Sequence, residues 1–201
     1  MVLDTIVALA TPGGRSSISV VRLSGSMSVF FAQKLSKSKF EFIGGRVVVL
    51  PVFIEKSDKI DDAVYIFYKS PASYTGEDVI EICCHGNPVI VGSVLDRLCS
   101  FGARLADPGE YTKRAFINGK MDLVQAESVS LLISAKSRDA AKHQSKNLSG
   151  GLSKIISLIR EELLVSLSSL EYEFDISEND YGIDELLKSS LKVINNNILI
   201  A

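Results

Sequence analysis

The chain has 201 residues, 46% of them apolar and 23% charged, an ordinary globular usage that excludes a disordered or collagen-like polymer. Its 22 Lys+Arg against 24 Asp+Glu leave a net charge of -2, so no overall basic field marks it as a nucleic-acid binder. Three cysteines, of which Cys83 and Cys84 are adjacent, cannot frame a disulfide scaffold and fit a reduced, cytoplasmic protein.

The first residues, Met1-Val-Leu-Asp4, place an acid where a signal peptide needs a basic start. The longest uncharged run, Ile82 to Leu95, is interrupted by His85, Gly86, Pro88 and Gly92 and falls short of the roughly 20 residues that span a bilayer. The expectation is a soluble chain with no membrane partner.

In chain order, short β-branched runs bounded by Gly, Pro, Ser or Asp predict strands at Thr5–Leu9, Ser17–Leu23, Arg46–Ile54, Asp62–Tyr68 and Asp78–Cys84. Ser26–Leu35 reads as a helix after Ser24-Gly25. Pro88–Ser100 reads as a second, with Asn87 as N-cap, Pro88 at the first helical position and Gly102 just past the end. A shorter third spans Gly109–Ile117. Strands interspersed with helices predict an α+β unit, a mixed sheet with packed helices.

All five prolines precede residue 121, and the charge shifts there too. Residues 1–120 carry 14 basic and 12 acidic side chains; residues 121–201 carry 8 and 12. Proline is expelled from helix interiors, so the second part is expected to be all-α, with domains over 1–119 and 120–201. Asp122-Leu-Val-Gln125 has capping-box spacing. Leu152, Ile156, Ile159, Leu163, Leu167, Leu170 and Phe174 mark one face of a long helix that Gly150-Gly151 separates from its predecessor. Nine acids and no base between Glu161 and Glu185 read as a solvated face and loop. The stretch from Leu186 is again amphipathic and stops on the bare apolar Ile198-Leu-Ile-Ala201, which predicts that the chain is part of a longer protein.

Few residues invite chemistry. Alternation places Arg22 on the strand face of Ile18 and Val20, and Glu81 on that of Val79 and Cys83. A charge on an apolar strand face needs a partner. Two readings stand: the two residues pair with each other or snorkel at an edge, or they face a polar ligand. In the second, a carboxylate accepts two parallel hydrogen bonds from a flat heterocycle such as a pterin. Lys120, after Asn118-Gly119, reads as a surface lysine at a domain junction that is also placed for an anionic ligand arm. Cys83 and His85 share a face, yet a zinc site needs three or four ligands, so no metal site is assigned. Gly-x-Ser-x-Gly and Gly-x-x-x-x-Gly-Lys-Ser/Thr are both missing, so neither a hydrolase elbow nor a phosphate loop is present, and no catalytic residue is assigned.

Five ordered blocks carry a resemblance: Asp4-Thr-Ile-Val-Ala-Leu-Ala-Thr-Pro12; Val21-Arg22-Leu-Ser-Gly25; Tyr74-Thr-Gly-Glu-Asp78 running to His85-Gly86; Asp107-Pro-Gly-Glu-Tyr-Thr-Lys-Arg-Ala-Phe116; and Asn118-Gly-Lys-Met-Asp-Leu-Val-Gln-Ala-Glu127. They resemble the amino-terminal blocks of the MnmE (TrmE) family of tRNA-modification GTPases. The resemblance implies a fold like the folate-binding domain of aminomethyltransferases, a homodimer made through it, and formyl- or methylene-tetrahydrofolate as one-carbon donor. It further implies a helical domain interrupted by a GTPase domain. A partner, MnmG (GidA) with FAD, joins the whole enzyme in placing an aminomethyl-type group on the tRNA wobble uridine.

By the same resemblance, Arg22, Glu81 and Lys120 contact the folate. The family's phosphate loop, switch loops and carboxy-terminal Cys motif are missing from the sequence. GTP, Mg and K are therefore expected only through the missing GTPase domain, and this chain alone should not hydrolyse GTP. Asn87 stands where the family has a second Gly after His-Gly. A stand-alone folate-dependent aminomethyltransferase and a purely structural dimerisation module are the alternatives.

Overall fold

The computed structural model describes residues 4–39, 45, 47–55 and 58–176. The amphipathic stretch expected from Leu186 to Ala201 lies outside the described residues, as does the acidic run beyond Ile176. The chain divides into two compact units, Met1–Met121 and Asp122–Ala201.

The first unit is α+β. Its strands are β1 (Ile6–Leu9), β2 (Ile18–Ser24), β3 (Val47–Phe53), β4 (Lys59–Tyr68), β5 (Val79–His85) and β6 (Arg104–Leu105). They form one sheet in the order β3-β4-β5-β2-β1-β6, antiparallel throughout except where β6 runs parallel to β1. The five predicted strands are all present, shifted by one to three residues at their ends. β6 has no counterpart in the sequence reading, because two residues carry no periodicity. What makes them a strand is backbone bonding, Arg104 N–H to the Thr5 carbonyl and Ala106 N–H to that of Val7.

Helices α1 (Ser28–Ser36) and α2 (Pro88–Ser100) pack on the same face of the sheet. Asn87 caps α2 by accepting from Val89 N–H, and Pro88 takes the first helical position, where its missing N–H costs nothing. Val21 and Leu23 of β2, Tyr65 of β4, and Ile80 and Ile82 of β5 point into this interface, against Leu35 of α1 and Val94 and Leu98 of α2. Each fully buried aliphatic side chain there contributes about 1.5–3 kcal/mol. Gly25, at φ 133°, ends β2 where a Cβ would sit 2.7 Å from the Thr5 Cα, so the chain passes too close for any larger residue.

The other face of the sheet is largely open. Its rows follow from the strand register: Val49, Val64, Cys83 and Val20 form one, and Val47, Ile66, Glu81, Arg22 and Ala8 form the next. Ile18, Val47 and Val49 are 61–64% exposed there. Helix α3 (Glu110–Ile117) is tied to β2 through Tyr111 and to the first residues through Arg114.

In the second unit, α4 (Leu123–Ile133), α5 (Arg138–Leu148) and α6 (Gly151–Ile176) follow one another. The capping box forms as its spacing predicts: Asp122 accepts from Gln125 N–H, and the Gln125 side chain accepts from Asp122 N–H. Gln125 also donates to the Leu148 carbonyl, joining α4 to the end of α5. Asp122→Ala should therefore cost about 1 kcal/mol, read as a lowered denaturation midpoint of the helical signal. On the apolar stripe of α6, Leu152, Ile156, Leu163 and Leu167 are exposed. Among the described residues no helix is long and apolar enough to cross a membrane.

Candidate ligand site

Arg22 and Glu81 are direct cross-strand neighbours in the pairing of β2 with β5, on the open face. The pairing reading of these two charges is realised. Arg22 donates from both Nε (2.9 Å) and Nη2 (2.6 Å), and both bonds end on a single oxygen, Glu81 Oε1. Among the described residues, Glu81 Oε2 receives only a long 3.4 Å contact from the Tyr68 hydroxyl. Burial raises the Tyr68 pKa, and the Glu81 carboxylate adds to the effect, so the phenol stays protonated and remains a donor. The two side chains are 27% and 17% exposed, so the pair is half sheltered and reachable.

Two tyrosine rings complete the surroundings, and sequence reasoning assigns neither a role. The Arg22 guanidinium lies 5.7 Å from the Tyr74 ring centroid and 5.6 Å from that of Tyr111. Tyr111 is fixed by donating to the Arg22 carbonyl at 2.6 Å, and Tyr74 by a 2.9 Å bond with Thr112. Tyr74 and Tyr111 fall inside two of the quoted blocks; sheet register and the loop's fold, which sequence spacing does not give, bring them to Arg22.

Lys120 is placed differently. It is exposed and donates to the Pro71 carbonyl at 2.9 Å, on the same loop that carries Tyr74. The structure thus joins Arg22 and Glu81 directly, and connects Lys120 to them only through the segment 71–74.

A buried ion network holds that segment. Arg114, 2% exposed, donates to the Asp4 carbonyl and carboxylate, to Glu77 and to Glu110. Glu77 in turn accepts from Ser24 Oγ at 2.7 Å, and Ser24 also meets Thr75. Arg104 closes the circuit onto Glu110 and Asp4. The Arg104 hydrogen bonds, helped by Asp107 N–H and Arg114, hold Glu110 down at about 2 against the ordinary 4.5; Arg104 likewise lowers Asp4. Carboxylates with depressed folded-state pKa values stabilise the fold above the unfolded value and lose that contribution as pH falls towards the folded one. Stability should therefore fall between about pH 4.5 and 2, with Glu110 accounting for about 1–2 kcal/mol after solvent screening at half-exposed Arg104. A denaturation series across that range measures it, and Glu110→Gln should flatten the slope.

His85 and Cys83 do not meet each other. His85 Nδ1 lies 2.7 Å from Asp61, whose carboxylate also accepts the His85 backbone N–H. Burial, then Glu81, raises the Cys83 pKa, which keeps it a thiol.

Comparison with known proteins bears on this arrangement. The family described as "GTP-binding protein TrmE N-terminus" matches residues 5–120, which span the whole sheet, α1–α3 and Lys120. The chain belongs to the TrmE amino-terminal family. It is similar to the tRNA modification GTPase MnmE of Pseudothermotoga lettingae, 49% identical over 196 residues, covering 94% of this chain and 43% of the relative. The counterpart in Thermotoga petrophila is 46% identical over 173 residues (86% and 38%). That of Aliarcobacter butzleri is 43% identical over 199 residues (96% and 44%). The chain thus spans about two-fifths of the length of these TrmE relatives.

Proposed function

We propose that the chain is the folate-binding, dimer-forming amino-terminal part of a cytoplasmic GTPase that modifies tRNA. Formyl- or methylene-tetrahydrofolate is the ligand of the Arg22–Glu81 site. The observation that carries this reading is Glu81 Oε2, a carboxylate oxygen on a reachable sheet face that, among the described residues, meets nothing but a 3.4 Å phenol contact. The donor set fits the pterin end of a folate. Glu81 offers paired acceptors to an amino group and a ring N–H once Arg22 turns from Oε1 to orient the ligand, and Tyr74 and Tyr111 provide flat surfaces beside a flat ring. Lys120, which donates to the Pro71 carbonyl of the loop that carries Tyr74, supplies positive charge to the anionic arm. Bound tetrahydrofolate supplies the one-carbon unit; the residues here bind and orient it.

The apolar rows around Glu81, with Ile18, Val47 and Val49 exposed, support the dimer reading, since a second copy covering them would shelter the ligand. GTP with Mg and K, the FAD-containing partner MnmG, and the tRNA wobble uridine belong to the whole enzyme proposed on the relatives' names. 5-Formyl-tetrahydrofolate at 100 times its dissociation constant should stabilise the chain by about 2.7 kcal/mol and raise its melting temperature accordingly. No shift with any reduced folate would leave a structural dimerisation module instead.

A further inference from the structure

On the covered side of the sheet, the outer surface of α1 and α2 gathers cations onto aromatic rings. Lys34 Nζ lies 4.4 Å from the Phe101 ring centroid and 5.8 Å from that of Phe30, and the Arg97 guanidinium lies 4.7 Å from the same Phe101 ring. Lys37, one turn beyond Lys34, sits 4.1 Å from the Phe53 ring and donates to the Glu55 carbonyl. A ring carries no net charge, so these contacts orient the cations without neutralising them.

The two charges that share Phe101 are within about 9 Å of each other, comparable to one Debye length near physiological salt. Among the described residues neither Lys34 nor Arg97 enters a salt bridge. Arg97 Nε is buried with no acceptor. Asp96, the nearest acid in sequence, acts on Cys99 one turn along. Phe30 leaves half of its ring in solvent.

Two cations on one ring, with no salt bridge among the described residues, call for an anion, and an exposed ring beside them calls for a flat apolar one. Phosphates joined to bases meet both requirements; an acidic peptide meets only the first. We propose that this α1–α2 face docks RNA, with backbone phosphates at Lys34 and Arg97 and an unstacked base on Phe30. The proposal rests on the tRNA-modifying reading above and adds the surface by which the first unit would hold the RNA. The sheet lies between this face and the Arg22–Glu81 row, so substitutions here leave the folate site in place.

The test is fluorescence anisotropy of a labelled, unmodified tRNA transcript with the full chain, from about 50 to 200 mM salt. The double variant K34E/R97E should bind about tenfold or more weakly, with a log–log salt slope shallower by roughly 1.4, about 0.7 for each phosphate no longer neutralised. F30A should bind about fivefold or more weakly with its slope unchanged. K69E, on an exposed lysine after β4, should bind within about twofold of wild type. If K34E/R97E fails to fold by circular dichroism, K34Q/R97Q takes its place and should show the same direction. Wild-type chain without salt-dependent RNA binding would overturn this surface and leave RNA contact to the rest of the whole enzyme. RNA binding that ignores K34E/R97E, or falls equally with K69E, overturns this surface alone. Retained RNA affinity with weakened affinity for a polyglutamate peptide would assign the face to an acidic protein partner and also overturn it.

Discussion

Arg114→Leu is expected to destabilise the first unit by about 3–5 kcal/mol, lowering its melting temperature by roughly 10 °C or more. Arg114 is the most buried member of the ion network, and its guanidinium reaches three carboxylates (Asp4, Glu77 and Glu110) and one carbonyl. Leucine fills much of the volume but strands Glu77, 17% exposed, without its cation and leaves Glu110, 11% exposed, with Arg104 alone. Removing one side of a buried charge cluster costs far more than the cluster itself contributes, because the remaining charges keep their desolvation penalty. Lysine should recover only part of the loss, since a single ammonium cannot reproduce the planar fork. The same variant should loosen the segment that carries Tyr74, which Glu77 anchors through Ser24 and Thr75. An Arg114→Leu chain that melts within about 2 °C of wild type would show that the network is ornamental.

Glu81→Ala should reduce affinity for 5-formyl-tetrahydrofolate by about 10- to 150-fold, the equivalent of a charged hydrogen-bond pair at 1.5–3 kcal/mol. Glu81→Gln is the sharper variant. A glutamine offers one acceptor and one donor, so a ligand presenting two parallel N–H groups meets an amide N–H where it needs an oxygen. Its affinity should fall nearly as far as with alanine. Neither change should disturb the fold much, because Arg22 is 27% exposed and water can take its freed donors. Calorimetric titration of the three proteins reads the difference, and a glutamine variant that binds as tightly as wild type would point to a ligand recognised by shape alone.

Much of this organisation is legible in the order of the residues. Alternation within Ile18–Ser24 and Val79–His85 places Arg22 and Glu81 each on one side of its strand, and the resemblance selects them as a pair. The capping box at Asp122 is readable because its signal is local in sequence. Long-range features are not. Arg114 looks like one base among several in a polar helix, and only the chain's return to Asp4, 110 residues away, makes it central. Tyr68, Tyr74 and Tyr111 reach the Arg22–Glu81 pair through sheet register and loop folding, which no spacing rule encodes. The periodicity of α6 marks an apolar face, but periodicity says which residues share a face and not what covers it.

The most direct test is a crystal structure of the chain with 5-formyl-tetrahydrofolate. The expected result is the pterin at Glu81, with both carboxylate oxygens accepting from the ring, Arg22 turned to the ligand's side and a tyrosine ring against its face. A folate bound elsewhere, with Arg22 still donating twice to Glu81 Oε1, would contradict the assignment.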